Sequence, residues 1–203
     1  MKVGAAFQRL LAKIAPVQGE VNRVLVHGGS IKSRLDTSFR LRKFMKVGSH
    51  ARGTAIRGFS DIDFFAVLAR DDARWGKQLV SSATFLENIR RDLIDRYPNT
   101  TVSRDGQAAV VHFAGGHHQV DVVPAIFQGF GSTKAPIYRI PDGYGGWLST
   151  SPESHNRFIG DADARSGGKL YRTAKLFKFW RECRSPRIPI SSFHIELVLS
   201  GSA

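Results

Sequence analysis

The sequence predicts an α+β fold, a small mixed sheet with helical cover followed by the start of a helical lobe, and three observations predict it. Apolar residues recur at helical spacing near both ends of the chain, as at Phe7, Leu10, Leu11 and Ile14. Between those ends lie short apolar, β-rich runs at residues 62–68, 108–113 and 119–126. One long helical stretch separates the first run from the other two, so the middle of the chain reads β-α-β-β.

Each element has its own signal. Residues 4–15 read as a short helix. A second runs over residues 20–39, with Val21, Val24, Leu25, Ile31 and Leu35 on one side, although Gly28 and Gly29 weaken its middle. Residues 44–47 form a short strand stopped by Gly48-Ser49. After the strand at 62–68 comes a polar loop around residues 71–77. A helix then starts near Ser82 and carries Phe85, Leu86, Ile89 and Leu93 until Pro98 ends it. The strands 108–113 and 119–126 are joined through Ala114-Gly115-Gly116-His117-His118, whose glycines suit a hairpin. Ser151-Pro152-Glu153 reads as an N-cap with proline in the first turn. The next helix spans residues 168–182, with Leu170, Ala174, Phe177 and Trp180 or Arg181 on one face. Ser191 or Ser192 caps a last helix. The division expected is a core with N-terminal helices over residues 1–145 and an incomplete helical lobe over 146–203, whose end reads as a truncation.

Composition narrows the function classes. With 203 residues, 42% hydrophobic and 23% charged, the chain is an ordinary globular protein. Lys and Arg number 30 against 17 Asp and Glu, a formal charge of +13. That excess attracts polyanions, nucleoside triphosphates and RNA or DNA among them, without choosing between them. A single cysteine, Cys183, excludes an internal disulfide framework and a multi-cysteine zinc knuckle. The N-terminal apolar residues are broken by Gln8, Arg9 and Lys13, unlike a signal peptide. No apolar run reaches the roughly 18 residues that span a bilayer. The expected setting is the cytoplasm, with no membrane partner. His112, His117 and His118 lack a cysteine partner and read as a solvated turn rather than a zinc site. Trp147 reads as packing.

Chemistry is carried by two segments: Gly48-Ser49-His50-Ala51-Arg52-Gly53-Thr54 leading to Ser60-Asp61-Ile62-Asp63, and Val120-Asp121-Val122-Val123-Pro124. Side chains alternate along a strand, so Asp61 and Asp63 share a face. Two carboxylates in an otherwise apolar strand are costly to bury, and each raises the other's pKa unless a cation neutralises them. Divalent magnesium prefers carboxylate and phosphate oxygens. Asp121 is a third lone charge in an apolar strand, able to bridge a metal and take a proton from an attacking hydroxyl. Two such ions, ~3.5–4 Å apart, can stabilise both oxygens of an in-line displacement. Glycine at position 48 lets backbone N–H groups approach a phosphate, and the Ser49 hydroxyl adds a donor.

Those motifs, in that order, resemble the DNA-polymerase-beta-like nucleotidyltransferase superfamily. Lys178-Phe179-Trp180 followed by Ser191-Ser192-Phe193-His194-Ile195-Glu196 is similar to the helical lobe of the branch holding oligoadenylate synthetase and cyclic GMP–AMP synthase. Its bacterial members, the CD-NTases of anti-phage CBASS systems, carry a similar Gly-Ser-Tyr-Ala-Arg-Gly-Thr start. The resemblance covers about residues 20–200 and implies a polymerase-beta-like core. It also implies roles: Gly48 and Ser49 hold a triphosphate, while Asp61, Asp63 and Asp121 bind two Mg²⁺ (or Mn²⁺) ions. By the same resemblance Lys178 and Ser192 contact donor phosphates, and Phe193 stacks on a base. From the residues alone Lys178 fits a solvated helix face equally well, and Phe193 a core aromatic. His50 and Phe193 stand where many relatives have tyrosine, and relatives continue with further helices after the segment matching 192–199.

The implied function is synthesis of cyclic di- or trinucleotide second messengers from NTPs, ATP and GTP foremost, with release of pyrophosphate. Two alternatives stand beside it. One is a template-independent transferase acting on RNA ends or a small acceptor; the other is a catalytically silent, basic nucleic-acid-binding module.

Overall fold

A computed structural model describes residues 3–113 and 119–202. The hairpin expected at 114–118, with His117 and His118, lies outside the described residues.

Two helices, α1 (Val3–Ile14) and α2 (Gln18–Ser38), lead into strand β1 (Leu41–Lys46) and a five-residue helix α3 (Gly48–Arg52). Strand β2 (Ile62–Leu68), a 3₁₀ turn (Arg70–Ala73) and a two-residue ribbon of β3 (Arg74–Trp75) with β4 (Gln78–Leu79) precede α4 (Ser82–Arg96). Then come β5 (Thr101–Asp105), β6 (Ala108–His112), β7 (Val120–Phe130), β8 (Pro136–Pro141) and β9 (Trp147–Thr150). The chain ends in α5 (Pro152–Arg165), α6 (Leu170–Glu182) and α7 (Ser192–Gly201).

The main sheet has the order β1-β2-β7-β6-β5, and β7 also pairs β8, which pairs β9. Among the described residues only β2 and β7 run parallel; every other pairing in the sheet is antiparallel. A mixed sheet is therefore correct, and its one parallel pair sits at the centre. Strand alternation divides the side chains cleanly. Ile62, Phe64, Ala66 and Leu68 of β2, with Val120 and Val122 of β7, meet Val24, Ile31 and Leu35 of α2 and Phe85, Leu86, Ile89 and Leu93 of α4. Phe65, Val67, Val123 and Ala125 face the other way, against Val47, Tyr138 and Ile140.

Helix α2 is continuous through Gly28 and Gly29. Gly28 is needed there: a Cβ at this position would run into the Phe64 ring, so its absence lets α2 lie close on the sheet. The buried face is Val24, Gly28, Ile31 and Leu35, whereas Leu25, expected inward, is exposed. Helix α4 starts where read, with the Ser81 hydroxyl accepting from Thr84 N at 3.1 Å.

Several elements differ from expectation. The edge strand β5 buries only Val102, so its period-two signal is faint. Strand β8 begins and ends in proline, residues that argue against a strand except at a sheet margin. Pairing with β8 carries β7 on to Phe130, past the expected end at residue 126. The sheet thus continues through β9 to Thr150. Within α6 the buried face is Leu170, Ala174, Lys178 and Arg181, while Phe177 and Trp180 stand about half exposed. Arg181 takes the inward place left open between it and Trp180, and Lys178 takes the one expected of Phe177. His112 Nε2 pairs with Ser103 Oγ at 2.8 Å across β5 and β6, and Trp147 packs on Phe85 at 5.6 Å.

The two neighbouring glycines of α2 provide a matched test. Gly28→Ala forces the Phe64 ring to move and should cost about 1–3 kcal/mol. Gly29→Ala, exposed with nothing near its Cβ position, should stabilise by about 0.5–1 kcal/mol. Urea denaturation of both variants measures the difference; equal effects would contradict the close approach of α2 to β2.

Candidate active site

Asp63 is the second residue of β2, and the alternation that sends Ile62 and Phe64 into the helical layer turns it to the opposite face. Its partner across the parallel ladder is Asp121 of β7. Strands pair ~4.8 Å apart, so the two carboxylates stand side by side on one face. Asp61 occupies the exposed position just before β2. The loop leading to it is held by Ser60, whose hydroxyl accepts from Ile56 N at 2.9 Å.

Crowding and burial show in the electrostatics. Burial pushes the Asp63 carboxyl up to about 7, the Asp61 charge adds to the rise, and Arg52 and Lys178 oppose it. Burial also pushes Asp121 up to about 7, helped by Asp63, Asp61 and Asp105. The Oδ1 atom of Asp121 is buried and has no hydrogen-bond partner among the described residues. An orphaned carboxylate oxygen in a polar site is a vacancy in hydrogen-bond bookkeeping that a cation satisfies. Among the described residues, no three His, Cys, Asp or Glu side chains are gathered into a ready-made cage. Asp61, Asp63 and Asp121 offer carboxylate oxygens, a set that fits a hard divalent cation such as Mg²⁺ or Mn²⁺.

The glycine–serine segment abuts this pair. Val47 N donates to Asp63 O at 2.8 Å, which ties the end of β1 to β2. Gly48 follows at φ +65°, and a Cβ there would overlap the Asp63 Oδ2 atom. Only glycine brings the backbone so close to that carboxylate. Instead of a simple turn, Gly48 and Ser49 open the short helix α3, which Gly53 closes at φ +71°.

A cleft of about 780 Å³ separates the open face of the sheet from the helical lobe. Gly48, Ser49, Asp61 and Asp63 line one wall, and Ser192 and Phe193 the other. Asp121 is not among its lining residues; its neighbours Asp63 and Val123 are. Phe193 lies 5.2 Å from the His155 ring, and the Arg52 guanidinium sits 5.8 Å from its centroid. Ser192 Oγ accepts from Arg181 Nη2 at 3.2 Å.

Lys178 departs from expectation. It is 1% exposed and does not line the cleft; its ammonium lies on Glu196 and Thr54 in the interior. The cations that do line the cleft are Arg52, Arg181 and Arg187. Sequence reasoning gave these no role. Arg52 lay inside the glycine–serine motif, Arg181 looked like part of a packing face, and Arg187 sits between two prolines with no periodicity to mark it.

Comparisons with known proteins agree on one family. Residues 1–162 match the Second Messenger Oligonucleotide or Dinucleotide Synthetase domain. A cyclic AMP-AMP-AMP synthase of Escherichia coli (strain MS 115-1) is 28% identical over 166 residues, 80% of this chain and 50% of the relative. A CBASS oligonucleotide cyclase, CdnC, of Escherichia coli (strain KTE188) is 28% identical over 174 residues, covering 79% of this chain and 50% of its own. Among solved structures, E. coli MS115-1 CdnC with ATP superposes with a TM-score of 0.71 at 23% identity, over 98% of this chain and 63% of that one. The fold is thus that of the CD-NTase nucleotidyltransferases. The chain spans about half the length of the curated relatives it matches. No helix among the described residues is long and apolar enough to cross a membrane.

The raised carboxyl of Asp121 has a measurable consequence. Its folded pKa of about 7 exceeds the ordinary value of 3.8, so the folded state keeps a proton that the unfolded chain has lost between pH 4 and 7. Without divalent ions, stability should therefore fall as pH rises through that window. Asp121→Asn should be more stable than the parent by about 2 kcal/mol at pH 8 in EDTA, with the lead gone at pH 4. Denaturation at the two pH values checks this; a variant less stable at pH 8 would contradict the crowding.

Proposed function

The chain belongs to the second messenger oligonucleotide or dinucleotide synthetase family, and on that premise we propose that it is a metal-dependent nucleotidyltransferase making cyclic di- or trinucleotides from NTPs. The observation that carries this reading is the register pairing of Asp63 with Asp121 on one sheet face, with Gly48 pressed against Asp63.

Asp61, Asp63 and Asp121 would hold two Mg²⁺ or Mn²⁺ ions, which when bound neutralise the triphosphate and activate the attacking hydroxyl. The remaining work falls to the chain itself. Gly48 and Ser49 present backbone N–H groups and a hydroxyl to the phosphates, and Arg181 and Arg187 add positive charge from the opposite wall. Ser192, on the cleft wall, is the proposed phosphate contact there, and Phe193 the proposed stacking face for a base, worth ~1–3 kcal/mol where stacking occurs. Asp121, poised near neutrality, suits the role of base toward a ribose hydroxyl. The ribose oxygen bonds the α-phosphorus, the bond to the bridging α–β oxygen breaks, and pyrophosphate leaves. Repetition on the linear intermediate closes a ring. ATP and GTP are the substrates proposed, and the cytoplasm the proposed setting; the CBASS name of one relative supports a place in anti-phage defence.

The +13 formal charge supports a second reading, transfer to an RNA end, in which the same carboxylates act on a different acceptor. One assay separates the two. With labelled NTPs and Mg²⁺ or Mn²⁺, phosphatase-resistant products of cyclic mass are expected from protein alone; label appearing only on added RNA supports the second reading. Asp63→Ala and Asp121→Ala should each lower turnover by about 10³-fold or more with the fold intact. Full activity in either variant would refute both readings.

A further inference from the structure

Glu196 is fully buried on α7, one turn beyond Ser192 and Phe193. Its Oε2 accepts from Arg52 Nε at 2.6 Å, at the end of α3. Its Oε1 accepts from Lys178 Nζ of α6 and from the Thr54 hydroxyl. Lys178 Nζ also donates to Thr54 O at 3.2 Å and Thr54 Oγ1 at 3.1 Å. Arg52 Nη1 reaches Asn156 Oδ1 of α5 at 3.3 Å. An ammonium has three N–H donors, and Lys178 has three acceptors within reach, so none is left for a phosphate.

We infer that Glu196, gripped by Lys178, Arg52 and Thr54, is a positioning residue that fixes the wall carrying Ser192 and Phe193 against the wall carrying Gly48 and Ser49. The inference rests on the nucleotidyltransferase reading of that cleft. The two walls are far apart in the chain: Arg52 and Thr54 lie 144 and 142 residues before Glu196. Apolar packing alone could join them, and buried ion pairs are seldom the stronger choice for stability. What directional bonds add is a defined placement: every acceptor of the carboxylate is set by a donor from a different element. Such a network is satisfied in one arrangement only. It also accounts for the Arg-x-Thr half of the glycine–serine motif, which the phosphate role leaves unexplained. Lys178 then acts through Glu196 as an anchor and does not touch substrate.

The test separates placement from stability. Glu196→Gln leaves Lys178 and Arg52 buried without a counter-charge and is expected to melt far below the parent. Lys178→Met with Glu196→Gln restores the parent's net charge in the cluster and fills the lysine's space. This double variant is expected to recover most of the melting temperature, yet to show kcat for nucleotide joining about 10–100-fold below the parent with KM for ATP within about threefold. Amide exchange should be faster in both α3 and α7, with β7 unchanged. Parent-like kcat and exchange in the double variant would overturn the inference. So would a Lys178→Met variant whose melting temperature is unchanged but whose KM for ATP rises tenfold, the signature of a phosphate ligand. If the parent joins no nucleotides, the proposed function fails; the exchange pattern then decides the lock by itself, coupled acceleration in α3 and α7 supporting it and its absence refuting it.

Discussion

Two like charges held in register on neighbouring parallel strands are the constraint on which this protein is built. Asp63 and Asp121 could be separated by a one-residue slip of β7, which would send Asp121 into the helical layer. The apolar face prevents that slip, because Ile62, Phe64, Val120 and Val122 must stay under α2 and α4. The core thus pays for a repulsive pair on its far side. Burial pushes both carboxyls to about 7, the Asp61 charge adds to both and the Asp63 charge to Asp121, and an oxygen of Asp121 has no hydrogen-bond partner among the described residues. Such an arrangement is unfavourable until opposite charge neutralises it.

Around that pair the chain arranges positive charge at two depths. Arg181 and Arg187 border the cleft, both ion-paired with Glu182. Lys178 lies in the interior, neutralised by Glu196. Arg52 joins the two layers, lining the cleft while bonding Glu196, and both it and Lys178 lower the cost of ionising Asp63. One buried carboxylate therefore links the glycine–serine helix, the end of the motif and the helical lobe.

Much of this was legible in the residues. Asp61, Asp63, Asp121, Gly48 and Ser49 stood out because charge and glycine interrupt otherwise apolar, β-rich runs. Helices α4, α5 and α7 showed their starts at Ser82, at Ser151-Pro152 and at Ser191 or Ser192. What stayed hidden depends on long-range partners. A buried lysine in α6 looks like a solvated one until Glu196, eighteen residues later, is seen beside it. Strand β8 gains its character from pairing with β7 and β9, not from its proline-bounded sequence. Arg181 and Arg187 carry no local mark of the cleft, since a loop between prolines and a helix face become one wall only after folding.

The central claim is that the three carboxylates bind divalent cations together with a triphosphate. Electron paramagnetic resonance of Mn²⁺, titrated into the protein with a non-hydrolysable ATP analogue, measures this directly. Two bound ions per chain are expected in the parent, with binding lost or reduced to one in Asp63→Asn and Asp121→Asn. Mn²⁺ that remains free in the parent, or binds equally well in both variants, would contradict it.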